Sequence, residues 1–207
     1  MHHGPPGGAG AIARRAAVAY DPAMRIAADT SLVCIVDVQE RLVPAIAGAD
    51  RVVARCERLV EAARILGVPV VATEQYPQGL GPTVPSLAAR LPHPLAKRSF
   101  SCLGAAGFEA AIPPGVEAIV IAGVETHVCV AQTVLDLLSR SYTVFVAVDA
   151  VSSRHAIDHE FGLRRLEGAG AILTTTEAVL FEWCRTADHP HFRAVQALVK
   201  EPTSPRA

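Results

Sequence analysis

EAIVIAGVETHVCV, residues 117–130, decides the fold of this chain. Ala118 to Ala122 is a short apolar run of the kind that forms a strand buried on both faces. Gly123 breaks it. A second apolar run, Val128 to Leu138, is long enough for a helix, so the pattern predicts a strand over 117–122 and a helix over 126–140. Cys129 then falls in the first helical turn, where backbone N–H groups lack partners and the helix dipole is positive. Such a place is expected to lower the thiol's pKa and favour thiolate. The same N–H groups can hold a developing oxyanion. A small buried cysteine at a helix start has the same signature. The segment alone leaves both readings open.

Outward from it, strands and helices alternate. SLVCIVDV (31–38) is a near-continuous apolar run. Residues 50–66 carry apolar side chains at helical spacing, and Gly67 stands just past them as a stop. VPVVAT (68–73) reads as the next strand, Gln75 to Pro85 as a Gly/Pro loop, Pro94 to Arg98 as a short strand, and Gly104–Ala111 as a short helix. After the helix over 126–140 come the strand TVFVAVDA (143–150), a helix near 154–168, the strand AILTT (171–175), and helices near 176–184 and 189–200. Six short strands between helical patterns predict an α/β fold with a mainly parallel sheet covered on both faces. In such sheets ligands bind beyond the carboxyl ends of the strands. Asp37, the run Glu74-Gln75-Tyr76, Lys97 and Cys129 all stand at or just past strand ends, so they converge on one edge.

The chain has 207 residues, 51% hydrophobic and 19% charged, with a formal net charge of −1. It fits one globular domain over 26–200, and no apolar run is long enough to span a bilayer. The near-neutral charge gives no footprint for nucleic acid. Five widely spaced cysteines (34, 56, 102, 129, 184) form neither a disulfide framework nor a zinc pattern, so a cytoplasmic setting is expected. Residues 1–25, rich in Gly, Pro and Ala, read as a flexible extension, with Met24 an alternative start. Residues 201–207 read as a frayed tail. Only Lys97 and Lys200 are lysine among 19 basic residues, which marks Lys97 as a place where Arg would not serve.

Asp37, at the end of an apolar strand, is partly desolvated and suits a general base. Taken alone, it reads first as a cap of the following turn. His127 is a rival base, but residues two apart on a helix do not face each other, so it is poorly aimed at Cys129. Gln39, Gln75, Tyr76 and Phe100 follow strand ends and are candidate pocket residues. Asp149 resembles Asp37 but reads as a cap or turn residue ahead of Ser152 and Ser153. His155 and His159 are four apart, a metal spacing, yet no third ligand is evident and a solvated helix face is the simpler reading. Cys34, Cys56 and Cys184 read as structural; Cys102 stands near the Lys97 segment.

CIVDVQERL (34–42), KRSFS (97–101) and AGVETHVCV (122–130) together resemble the isochorismatase-like cysteine hydrolases, and TEQYPQGLGPTV (73–84) is similar to the isochorismatase-domain-containing branch. The resemblance implies a Rossmann-like three-layer α/β/α fold, a homo-oligomer (dimer or larger), and a triad of Asp37, Lys97 and Cys129. It implies a cis peptide before Glu125 and an oxyanion hole from the Glu125 and Cys129 N–H groups. Metal-binding members carry a D-x-H pair and a further His after the second strand. Here that place reads Thr73-Glu74-Gln75-Tyr76, so no metal and no cofactor are expected. Retention of Cys129 points to acyl chemistry on a C–N bond of a small amide-like substrate. The alternatives are hydrolysis of another small metabolite, as in isochorismatases, and a catalytically silent interaction protein. A nucleotide- or flavin-binding module is disfavoured because no G-x-G-x-x-G follows the first strand.

Overall fold

A computed structural model of the chain describes residues 25–200. The expected tail over 201–207, and all but Arg25 of the expected extension, lie outside the described residues. Six strands, β1 (Ser31–Val36), β2 (Val70–Gln75), β3 (Leu95–Lys97), β4 (Ala118–Val124), β5 (Thr143–Ser152) and β6 (Ile172–Thr174), form one sheet in the order β3-β2-β1-β4-β5-β6. Every pairing is parallel. The helices are α1 (Ala49–Leu66), α2 (Pro77–Leu80), α3 (Pro85–Ala88), α4 (Ala131–Ser139), α5 (Ala156–Ala169), α6 (Thr176–Cys184) and α7 (Phe192–Lys200). The segment expected to be a helix at 104–111 is instead two single 3-10 turns, Cys102–Gly104 and Glu109–Ala111. The expected loop after β2 contains α2 and α3, each opened by a proline, which has no N–H to leave unpaired in a first turn.

Strand alternation divides the core into two layers. Val33 and Ile35 of β1 pack with Cys56 and Leu59 of α1, Leu180 and Trp183 of α6, and Val195 of α7. Leu32, Cys34 and Val36 pack on the other face with Val134 and Leu137 of α4 and Leu166 of α5. With both faces covered, β1 and β4 are buried at every residue, which is why they read as unbroken apolar runs.

The chain adds β2 and β3 on one side of β1, then returns to place β4 on the other. That reversal makes the carboxyl end of the β1–β4 pair the switch point of the sheet, where such folds hold ligands. Gly123 lets the two strands close there. A Cβ on it would stand 2.1 Å from the Val36 carbonyl oxygen, and its φ is 117°, so only glycine fits. Among the described residues no helix is long and apolar enough to cross a membrane.

Candidate active site

Asp37 follows β1 directly, with a left-handed φ of 52° and no exposed surface. Its carboxylate accepts from Lys97 Nζ at 2.7 Å through Oδ2, and from the Thr73 hydroxyl at 2.8 Å through Oδ1. Lys97 closes β3, and its side chain is wholly buried. Its ammonium also reaches Gln75 Oε1 at 2.7 Å and the carbonyls of Phe100 at 2.9 Å and Ser99 at 3.3 Å. Four oxygens from three segments thus converge on one point charge. An ammonium suits this cage; a planar guanidinium does not. Burial works to discharge Lys97, yet attraction to Asp37 holds its pKa above the ordinary lysine value.

Cys129 lies across from this pair, nearly buried, with Sγ 4.0 Å from Gln75 Oε1. The expected α-helical first turn is absent. Thr126–Val130 forms a single π turn, and α4 begins after it. The Glu125 carbonyl accepts the N–H groups of Val128 and Val130, which flank Cys129. The Val124–Glu125 peptide is cis. The expectation of a lowered thiol pKa is overturned. Burial, then the charge of Asp37, push the Cys129 thiol well above its usual value, and Lys97 offsets only part of this. Desolvation outweighs the backbone dipoles because the thiol sits in the packed layer between sheet and helices rather than at an open helix end.

The four pocket candidates separate. Gln75 stands between Lys97 and Cys129, its Nε2 tied to the Arg98 carbonyl at 2.9 Å. Gln39 is fully buried and clamps backbone instead: it donates to the Gln75 and Gly81 carbonyls and accepts the Gln75 N–H. Tyr76 is exposed and stacks under the Arg98 guanidinium, 4.4 Å from the ring centre. Phe100 contributes its carbonyl to Lys97, while its side chain is half exposed.

The histidines lie away from the thiol. His127 Nδ1 meets Ser153 Oγ at 3.0 Å, and its Nε2 lies 3.9 Å from Asp158 Oδ2. His159 Nδ1 meets Thr126 Oγ1 at 2.9 Å, and burial lowers its pKa. His155 is the exposed N-cap residue of α5, so the pair four apart does not share a site. Among the described residues no three His, Cys, Asp or Glu side chains are grouped to hold a metal ion.

Sequence reasoning missed several groups. Thr73 binds Asp37, and its place two residues before Gln75 on one strand face is the signal that finds it. Thr133 donates to the Cys129 carbonyl at 2.7 Å and accepts the Cys102 N–H at 2.9 Å, tying the Cys129 turn to the loop after Lys97. The Glu125 carboxylate accepts from the backbone N–H of Arg154 at 2.9 Å and from its Nε at 3.2 Å, which anchors the start of the π turn. These depend on loop geometry that no local pattern encodes.

Known proteins carry the same frame. A family model described as isochorismatase domain matches residues 31–178. The chain is 40% identical over 178 residues to isochorismatase domain-containing protein 2A of Mus musculus, covering 86% of each. A structure described as MAR1 ribonuclease from Caenorhabditis elegans is similar at a TM-score of 0.82 and 39% identity, over 87% of this chain and 95% of that one. The YcaC gene product of Escherichia coli, described as an octameric hydrolase of unknown specificity, is similar at a TM-score of 0.76 and 26% identity, over 86% of this chain and 97% of that one. With the family's domain matched across the whole switch-point site, the chain belongs to the isochorismatase-like hydrolase family.

Proposed function

We propose that this hydrolase cleaves a C–N bond of a small amide-like substrate through a Cys129 acyl-enzyme, with Asp37 as base and Lys97 as its fixed counter-charge. The observation that carries the reading is a fully buried Asp37–Lys97 pair, 2.7 Å apart, beside a nearly buried thiol whose pKa burial raises. A buried ion pair is poor value as a stabilising device, since desolvation cancels much of its attraction. Beside a thiol it has a chemical use.

Because the thiol rests protonated, proton transfer accompanies attack. Asp37 takes the Sγ proton as sulfur bonds to the carbonyl carbon, and the carbonyl π electrons move to oxygen. The Glu125 and Cys129 N–H groups hold that oxyanion. On collapse, Asp37 returns the proton to the leaving nitrogen and the C–N bond breaks, leaving a thioester. Water, deprotonated by Asp37, attacks the thioester, and the departing sulfur recovers the proton. Lys97 has four acceptors for three hydrogens, so its part is to hold Asp37 and Gln75 in place.

The test is a panel of small amides, ureas and carbamoyl compounds, with single-stranded RNA as a further arm because one relative is described as a ribonuclease. Wild type and Cys129→Ala are compared, with intact-protein mass spectrometry for an acyl adduct. Turnover of a C–N compound lost in Cys129→Ala, with an adduct on Cys129, is expected. RNA cleavage that survives Cys129→Ala would end this reading. The octameric description of the E. coli relative supports homo-oligomerisation here as well, which light scattering on the purified protein checks.

A further inference from the structure

Asp37 has to be stable in two states, as a carboxylate before proton transfer and as a carboxylic acid after it. It is fully buried, so no solvent adjusts to the change. Of its two side-chain hydrogen-bond partners, Lys97 only donates. A protonated Asp37 therefore needs an acceptor elsewhere, and the Thr73 hydroxyl, 2.8 Å from Oδ1, is the group that can be one.

The directions of the bonds follow by counting hydrogens. A carboxylate only accepts, so Thr73 spends its single hydrogen on Asp37. Its oxygen lies 3.3 Å from Cys102 Sγ, and at that contact Cys102 must be the donor. Cys102 is itself fully buried. The resting chain thus runs from Cys102 S–H to Thr73 Oγ1 and from Thr73 O–H to Asp37 Oδ1.

We propose that Thr73 and Cys102 form a reversible hydrogen-bond relay that lets buried Asp37 change its protonation state while its carboxyl group and the Thr73 hydroxyl both stay hydrogen-bonded. When the Cys129 proton arrives on Oδ1, the new Asp37 O–H donates to Thr73. The Thr73 hydrogen swings from Asp37 to Cys102 Sγ, and the weakly donating Cys102 S–H turns away from Thr73. Thr73 and Cys102 neither gain nor lose a proton; their two hydrogens reorient. Thr73 and Cys102 are positioning residues acting through Asp37. The inference rests on the base assignment under the proposed function.

The test measures acylation of Cys129 by p-nitrophenyl acetate, followed by nitrophenolate release and intact mass. Thr73→Val keeps shape but removes both hydrogen-bonding capacities, and acylation should fall about tenfold or more, the scale of one unsatisfied buried polar group. Thr73→Ser keeps the hydroxyl and should stay within about threefold of wild type. Cys102→Ala should slow acylation and Cys102→Ser should restore it, which a packing role would not do. The double variant Thr73→Val/Cys102→Ala should react no more slowly than Thr73→Val alone, because a chain is broken only once. Wild-type rates in Thr73→Val, or additive losses in the double variant, would overturn the relay while leaving the base assignment intact. If wild-type Cys129 takes no acetyl group, the relay and the reading beneath it fall together.

Discussion

Two aspartates that look alike in the sequence differ in the structure. Asp37 closes IVD after β1, and Asp149 sits in AVD within β5. Asp149 is not ahead of a local turn, as its position suggests. Its carboxylate reaches the start of α6, accepting the Thr176 N–H at 2.7 Å and the Thr176 hydroxyl at 2.9 Å, with Arg55 Nε 3.2 Å away. Its side chain is 22% exposed, against none for Asp37. The partners of Asp149 are the free donors of a helix end, a structural need that any well-placed carboxylate meets. The partners of Asp37 are a buried ammonium and a buried hydroxyl, and its charge helps to raise the pKa of the Cys129 thiol. A strand-end aspartate takes its role from what neighbouring strands bring to it, and only the one at the switch point is brought a lysine and a cysteine.

The comparison breaks most directly through activity. Asp37→Asn is expected to lower kcat by about 10³-fold, within the range for removing a general base, while Asp149→Asn leaves kcat within about twofold. Steady-state kinetics on a substrate from the panel measures both. Equal losses would mean that the carboxyl edge, and not Asp37 in particular, supports turnover.

Stability separates the same two carboxylates by their cations. Lys97→Met strands a buried carboxylate and should cost about 3–5 kcal/mol in urea unfolding. Arg55→Met, beside a partly exposed Asp149, should cost about 1 kcal/mol or less. Lys97→Arg should not restore activity, because four oxygens close around a single nitrogen. The sign of the pH dependence follows from the direction of the shift. The folded pKa of Lys97 lies above the ordinary value of 10.5, so the stabilisation is whole below that value and is lost as pH rises through the raised one.

The parallel sheet was legible because strands buried on both faces must be apolar throughout, and β1, β4 and β5 stand out for that reason. Asp37, Lys97 and Cys129 were legible as a set because each ends or follows a strand, and the topology gathers such ends. The electrostatics of Cys129 were not. Its place after a strand predicts a helix start, but the π turn and the depth of the layer come from packing against α5 and the Cys102 turn, which are remote in sequence. Gly162 of α5 shows this: a Cβ there would sit 3.1 Å from Thr126 and 3.3 Å from the His127 backbone. The targets of Gln39 and Asp149 were hidden for the same reason, since a side chain's type does not say which distant backbone it will reach.

The raised thiol gives a further division. Cys129 should react with iodoacetamide at pH 8 about tenfold or more slowly than a free thiol, each unit of pKa being a tenfold loss of thiolate, and its rate should still climb above pH 10. Asp37→Asn removes a charge that raises the thiol and should speed alkylation at fixed pH. Asp149→Asn should not. A rate that levels off near neutral pH would show a thiolate formed in advance and would remove the need for Asp37 to take a proton during attack.

The smallest effect belongs to Asp149. If its work is to cap α6, Asp149→Ala should cost about 1 kcal/mol, the usual worth of a helix cap, and no more. The loss should be local, because Thr175 also caps this helix, its hydroxyl accepting the Ala178 N–H at 3.3 Å. Hydrogen exchange should therefore quicken in the first turn of α6 and stay unchanged in β1 and β4. Faster exchange in β1 after Asp149→Ala would mean that the β5 carboxylate and the switch-point site are coupled through the sheet. The division between a capping aspartate and a reacting one would then be one of degree.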